Sequence, residues 1–84
     1  MTGGYRRLSD ISVHESGIIS KVFYSGDTGR RLMDLGFISG TRITCVGESP
    51  CGDPKAFLVK GTVIAIRNET GRYILLEGGD SFET

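Results

Sequence analysis

"RRLMDLGFISGTRI" occupies positions 30–43, and its middle decides the fold. Arg30 and Arg31 lead an apolar run of Leu32, Met33 and Leu35. Leu32 and Leu35 are three apart, so they share one face of a helix. Asp27 stands where a carboxylate can accept the orphan amide hydrogens of a first helical turn. Gly36 fits the position just past the last helical residue, where a left-handed backbone ends a helix cheaply. The stretch therefore predicts a helix from Thr28 to Leu35. So short a helix is not stable alone in water. It must lean on something apolar, and the flanking sequence supplies strands. Leu32, Met33, Leu35 and Phe37 can plug the open end of a barrel, with Leu32 and Leu35 expected foremost. Met33 lies off that face.

Strands are expected on both sides. "GIISKVFYS" (17–25) is rich in β-branched and aromatic residues. Its alternation is imperfect, with Ile18 and Val22 on one face and Ile19 and Phe23 on the other. A strand covered on both sides in a small closed barrel would read this way. "TRITCVGE" (41–48), "KAFLVK" (55–60), "TVIAIRN" (62–68) and "RYILLE" (72–77) complete a set of five. "SPCGDP" (49–54) is a dense turn signal, Lys60–Gly61 a tight hairpin, and "ETG" a short connection. Positions 1–7 and 78–84 read as loose ends around a core of about 8–77, with Leu8 and Ile11 tucked inward. The expected architecture is a mainly β, small and strongly bent barrel of five to six strands, its helix inserted between the first and second, and an SH3-like barrel and an OB-fold both fit. An OB-fold would place its helix between the third and fourth.

The totals narrow the function. With 84 residues, one domain spanning 1–84 is the default. A chain this small buries only about 60% of its unfolded surface, so a deep substrate cavity is not expected. Ten basic residues balance ten acidic ones, which argues against generic nucleic-acid binding. No run is long and apolar enough for a transmembrane helix, and the start lacks an apolar leader. Two cysteines without a leader suggest reduced thiols and a cytoplasmic location.

The chemistry-bearing residues are sparse. His14, the single histidine, has Asp10 and Glu15 nearby in sequence but no marked nucleophile, so no catalytic residue is assigned. Cys45 and Cys51 do not form a closely spaced ligand pair, and no metal or cofactor is expected. Cys45 reads as a buried strand thiol and Cys51 as an exposed turn thiol, the two unbonded. "GDTGRR" lacks the lysine and spacing of a phosphate loop. Asp53 can cap amides of its own turn, and Arg67 can pair with Glu69 or Asp53. Arg30 and Arg31 are either solvated, paired with Asp34, or directed at an acidic partner. The expected partner surface is Arg30, Arg31, Met33 and Asp34, with Cys51 and Asp53 beside it.

Three blocks in order resemble the FeoA family, small cytoplasmic accessory proteins of bacterial ferrous-iron uptake. Arg30, Leu32, Leu35, Gly36, Phe37 and Gly40 match the first block. Pro50, Gly52, Asp53 and Pro54 match the second, and Gly61, Ala65 and Arg67 the third. Ser39 stands where proline is usual. The resemblance implies an SH3-like barrel and a non-enzymatic role beside FeoB, the membrane GTPase that carries Fe2+. The alternative is a free-standing relative of the C-terminal SH3-like domain of iron-dependent repressors. A repressor needs a DNA-reading helix-turn-helix, which these blocks do not supply.

Overall fold

The structure is a computed structural model that describes residues 5–77. The elements run β1 (Tyr5–Arg7), a 3-10 turn (Leu8–Asp10), β2 (Ser16–Val22), α1 (Gly26–Asp34) and β3 (Arg42–Glu48). They continue with β4 (Lys55–Val59), β5 (Thr62–Ile66), α2 (Asn68–Gly71) and β6 (Ile74–Glu77). All strands join one antiparallel sheet in the order β1-β6-β2-β3-β4-β5. The mainly β architecture expected from the sequence holds, and α1 follows the first long strand as anticipated.

The imperfect pattern of β2 has a local cause. Ile19 pairs with Leu76, but Lys21 pairs with Leu75, so Ser20 is an extra residue in the ladder. Such a bulge bends the strand and resets which residues face inward. Ile19 is fully buried and Val22 packs on the core, while Phe23 is exposed. The expected pairing of Ile19 with Phe23 on one face is thus corrected. A second bulge lies between Cys45 and Gly47 of β3 and leaves Val46 exposed. The two bends help wrap the sheet around Ile19, Ile43, Cys45, Phe57, Val59, Ile66, Ile74 and Leu76.

Two connections also differ from expectation. Tyr5–Arg7, read as part of a loose end, pairs with β6 from Tyr5↔Glu77 to Arg7↔Leu75. Positions 1–4 and 78–84 lie outside the described residues. Arg6 Nη2 donates to Glu15 Oε1 at 2.7 Å, clasping β1 to the approach of β2. Lys55 Nζ donates to the carbonyls of Ser9 and Ile11, each at 2.9 Å, and holds Leu8 and Ile11 in the core. The "ETG" connection is a helical turn, α2, so β5 ends at Ile66 and β6 starts at Ile74. The Lys60–Gly61 hairpin has both residues at positive φ, as a two-residue loop of the primed type requires.

The helix α1 starts earlier than expected. Ser25 is its N-cap and makes no side-chain cap bond, and Asp27 sits inside the first turn. There its carboxylate acts as a charge near the positive helix end rather than as a cap. The C-terminus follows the sequence. Gly36 has φ +104°, and its N–H bonds Met33 O at 3.0 Å, while Phe37 N–H bonds Leu32 O at 2.9 Å. This pair of bonds is the Schellman ending, which also brings the residues at its two ends into contact. Leu32 and Phe37 are accordingly buried at 4% and 2%, whereas Leu35 is 39% exposed. The expected Leu32–Leu35 plug is corrected: the chain reverses at Gly36 and Phe37 supplies the second apolar group.

Substitution separates these roles. Leu32→Ala should lower unfolding free energy by about 2–5 kcal/mol and Phe37→Ala by about 3–5 kcal/mol. Leu35→Ala should cost under about 1 kcal/mol, because its site is already open to water. Urea unfolding measures all three, and a Leu35→Ala loss equal to that of Leu32→Ala contradicts the assignment. Glu15 gives a pH test. The hydrogen bond from Arg6, then that from the Ser12 amide, holds its carboxyl below the usual value. A depressed folded pKa stabilises the fold above the unfolded value, and that contribution is lost as pH falls through the folded one. Both side chains are about a third exposed, so the gain is modest. As the pH falls from about 5 toward 3, the stability gap between the parent and Glu15→Gln should shrink. A gap independent of pH contradicts the clasp.

Candidate interaction site

The expected partner surface is carried by α1, so its seating on the sheet matters. An added Cβ at Gly29 would lie 2.6 Å from Tyr24 O. Glycine thus lets the first turn of α1 lie directly on the chain leaving β2. A glycine inside a short helix is costly relative to alanine, and here its packing reason is this close approach. At the other end, Leu32 and Phe37 fix the helix in the core. Held in this way, α1 has a groove along each flank.

The grooves divide the residues expected to act together. Arg30 and Met33 line one of about 320 Å³, with Val22, Tyr24 and Phe37. Arg31, Leu32 and Leu35 line the other, of about 510 Å³, opposite Ile64, Ala65, Ile66 and Arg67. Asp34 is exposed and lines neither. Arg6–Glu15 is the only ion pair within 4 Å among the described residues. Arg30 and Arg31 are therefore not paired with Asp34, and Arg67 is not paired with Glu69 or Asp53. The expectation of an Arg67 ion pair is corrected: its guanidinium remains available at the groove.

"SPCGDP" has a different task. Asp53 Oδ1 accepts the Asn68 N–H at 2.9 Å, and Asn68 Nδ2 donates to Gly52 O at 3.2 Å. Asp53 thus satisfies an orphan donor at the start of α2, across the loop from its own turn. Within that turn, Gly52 N–H bonds Ser49 O at 2.7 Å and Ser49 N–H bonds Pro54 O at 3.1 Å. Cys51 is exposed beside it, with Sγ 3.4 Å from Asp53 O. Neither Cys51 nor Asp53 lines the grooves beside α1. Both cysteines are free, as expected, and burial pushes the Cys45 thiol up, away from the reactive thiolate. His14 is exposed at φ +80°, its backbone N–H bonded to Cys45 O at 2.6 Å. Among the described residues no three His, Cys, Asp or Glu side chains gather as a metal site. The arrangement places arginines and apolar side chains together in both grooves.

A small, strongly bent antiparallel sheet with its longer helix packed after the first long strand defines an SH3-like domain. The chain belongs to the FeoA domain family, whose model matches residues 6–78. Over 71 residues it is 28% identical to the Fe(2+) transport protein A/Fe(2+) transporter FeoB fusion protein of Porphyromonas gingivalis. That match covers 84% of this chain but only 8% of the fusion protein, so the chain spans a small part of that relative. The FeoA protein of Chlorobium tepidum superposes with a TM-score of 0.81 at 26% identity, covering 90% of this chain and 74% of that one. The FeoA of Stenotrophomonas maltophilia, an SH3 domain protein solved with zinc, gives 0.73 at 28% identity, covering 84% and 88%.

Proposed function

We propose that this chain is a non-enzymatic accessory protein of bacterial ferrous-iron uptake that acts on the cytoplasmic side by docking on the membrane GTPase FeoB. The observation that carries the reading is the Porphyromonas gingivalis relative, in which a sequence similar to this one is fused to the transporter. Fusion holds two modules at a high effective concentration, which favours a pair that works in contact. Arginines without an ion-pair partner among the described residues, and the exposed Met33 of α1, supply docking groups that the described fold does not consume. No described helix is long and apolar enough to cross a membrane.

On this reading Met33, 60% exposed, is an apolar anchor, and Arg30 and Arg31 orient the partner. The double change Arg31→Glu with Met33→Ala touches no buried side chain. Its circular dichroism and melting should match the parent. Its affinity for the FeoB cytoplasmic domain, measured by calorimetry, should fall about tenfold or more. Equal affinity removes the α1 surface from the account. Failure of the parent to bind that domain removes the accessory reading itself.

A further inference from the structure

The sheet has two edges, and they are built differently. β1 is three residues long and carries Arg6 and Arg7, the short and charged kind of edge that resists further pairing. β5, at the opposite end, reads "TVIAI" over Thr62–Ile66. It has no charge, no proline and no bulge, and pairs with β4 in unbroken register from Val59↔Thr62 to Lys55↔Ile66. None of the devices that normally blunt an edge is present in it.

The register also says which backbone groups are free. A two-residue hairpin makes Val59↔Thr62 a hydrogen-bonded pair, so Thr62, Ile64 and Ile66 bond β4 by alternation. The N–H and C=O groups of Val63 and Ala65 then point away from β4. Among the described residues neither has a backbone partner on that side. Beside this edge lies the groove of about 510 Å³, with Leu32 and Leu35 of α1 facing Ile64 and Ile66. Among the described residues Arg31 and Arg67 line it without an ion-pair partner, against the single carboxylate of Asp27.

We propose that the free edge of β5 accepts an extended, acidic segment of a partner protein as a seventh strand, lying in the groove against α1. A row of unpaired amide donors and carbonyl acceptors matches another backbone. Two free guanidiniums in the groove match carboxylates, which arginine can bind in bidentate fashion. The apolar lining takes the side chains that alternate with the acidic ones. A second copy of this chain fits less well. Its β5 carries no acid, and it would bring its own Arg31 and Arg67 to a groove already cationic. This inference deepens the accessory reading by naming the docking mode, and rests on that reading only for the partner's identity.

Amide-resolved NMR tests it with two capped synthetic peptides, Glu-Val-Glu-Val-Glu and Lys-Val-Lys-Val-Lys. The acidic peptide should shift the Val63 and Ala65 amides and slow their hydrogen exchange, while the basic one should not bind. Arg67→Glu should raise the Kd of the acidic peptide about tenfold. Ala65→Pro removes an outward N–H without touching the β4 ladder, which an edge strand tolerates, and should abolish binding. If Ala65→Pro unfolds the protein, Arg67→Glu decides alone. Equal binding of both peptides, shifts confined to β1, or no binding of the acidic peptide at millimolar concentration overturns the proposal. Protection of Val63 and Ala65 without peptide, together with a doubled mass in sedimentation, assigns the edge to a second copy and also overturns it. The FeoB cytoplasmic domain is titrated in parallel. Equal binding by the parent and folded Ala65→Pro overturns strand addition but leaves the accessory function. A domain that does not bind, beside a peptide that does, overturns the function and leaves the strand.

Discussion

The turn at Gly36 governs this structure. A backbone at φ +104° lets two consecutive amides bond back into α1 and swings Phe37 inward against the core that holds Leu32. Without that reversal the helix would have no fixed end, and a helix of nine residues has little stability of its own. A side chain there would also be tight. A Cβ on Gly36 would lie 3.1 Å from Val59 Cγ1, at the end of β4. The turn thus sets the helix end close against the β4–β5 hairpin.

Local signals were legible in the sequence because their causes are local. Gly36 as a helix end, Lys60–Gly61 as a hairpin and "SPCGDP" as a turn each depend on backbone conformations that a few residues prefer. What escaped the reading depends on distant partners. Leu35 and Phe37 exchanged places because the direction of the chain after Gly36, rather than helical spacing, decides which one meets the core. Asp53 looked like a cap for its own turn, but its acceptor serves Asn68, fifteen positions on. β1 was hidden because three residues with two arginines carry no strand pattern until β6 lies beside them. The β2 bulge broke the period of two in a way that resembles two-sided burial.

The candidate site was half legible. Arg30, Arg31, Met33 and Asp34 stand out in the sequence because they lie off the apolar face of α1, and they are exposed. Their division between two flanks was not visible, since it depends on which elements border the helix. Arg67 joins Arg31 only because β5 runs beside α1, a neighbourhood made by sheet order. The barrel therefore brings together groups from separate sequence blocks, and the match to the FeoA domain family spans both.

The central claim is that the left-handed turn at Gly36 fixes α1 and, through it, the flanking grooves. Thermal unfolding of Gly36→Ala tests it most directly, since the methyl group adds only a Cβ to a backbone that L residues resist. Placing an L residue in a left-handed conformation costs roughly 1–2 kcal/mol. For a domain of this size each 1 kcal/mol lowers Tm by about 4–8 °C. The account predicts a fall of at least that size, and a Tm equal to the parent's would contradict it.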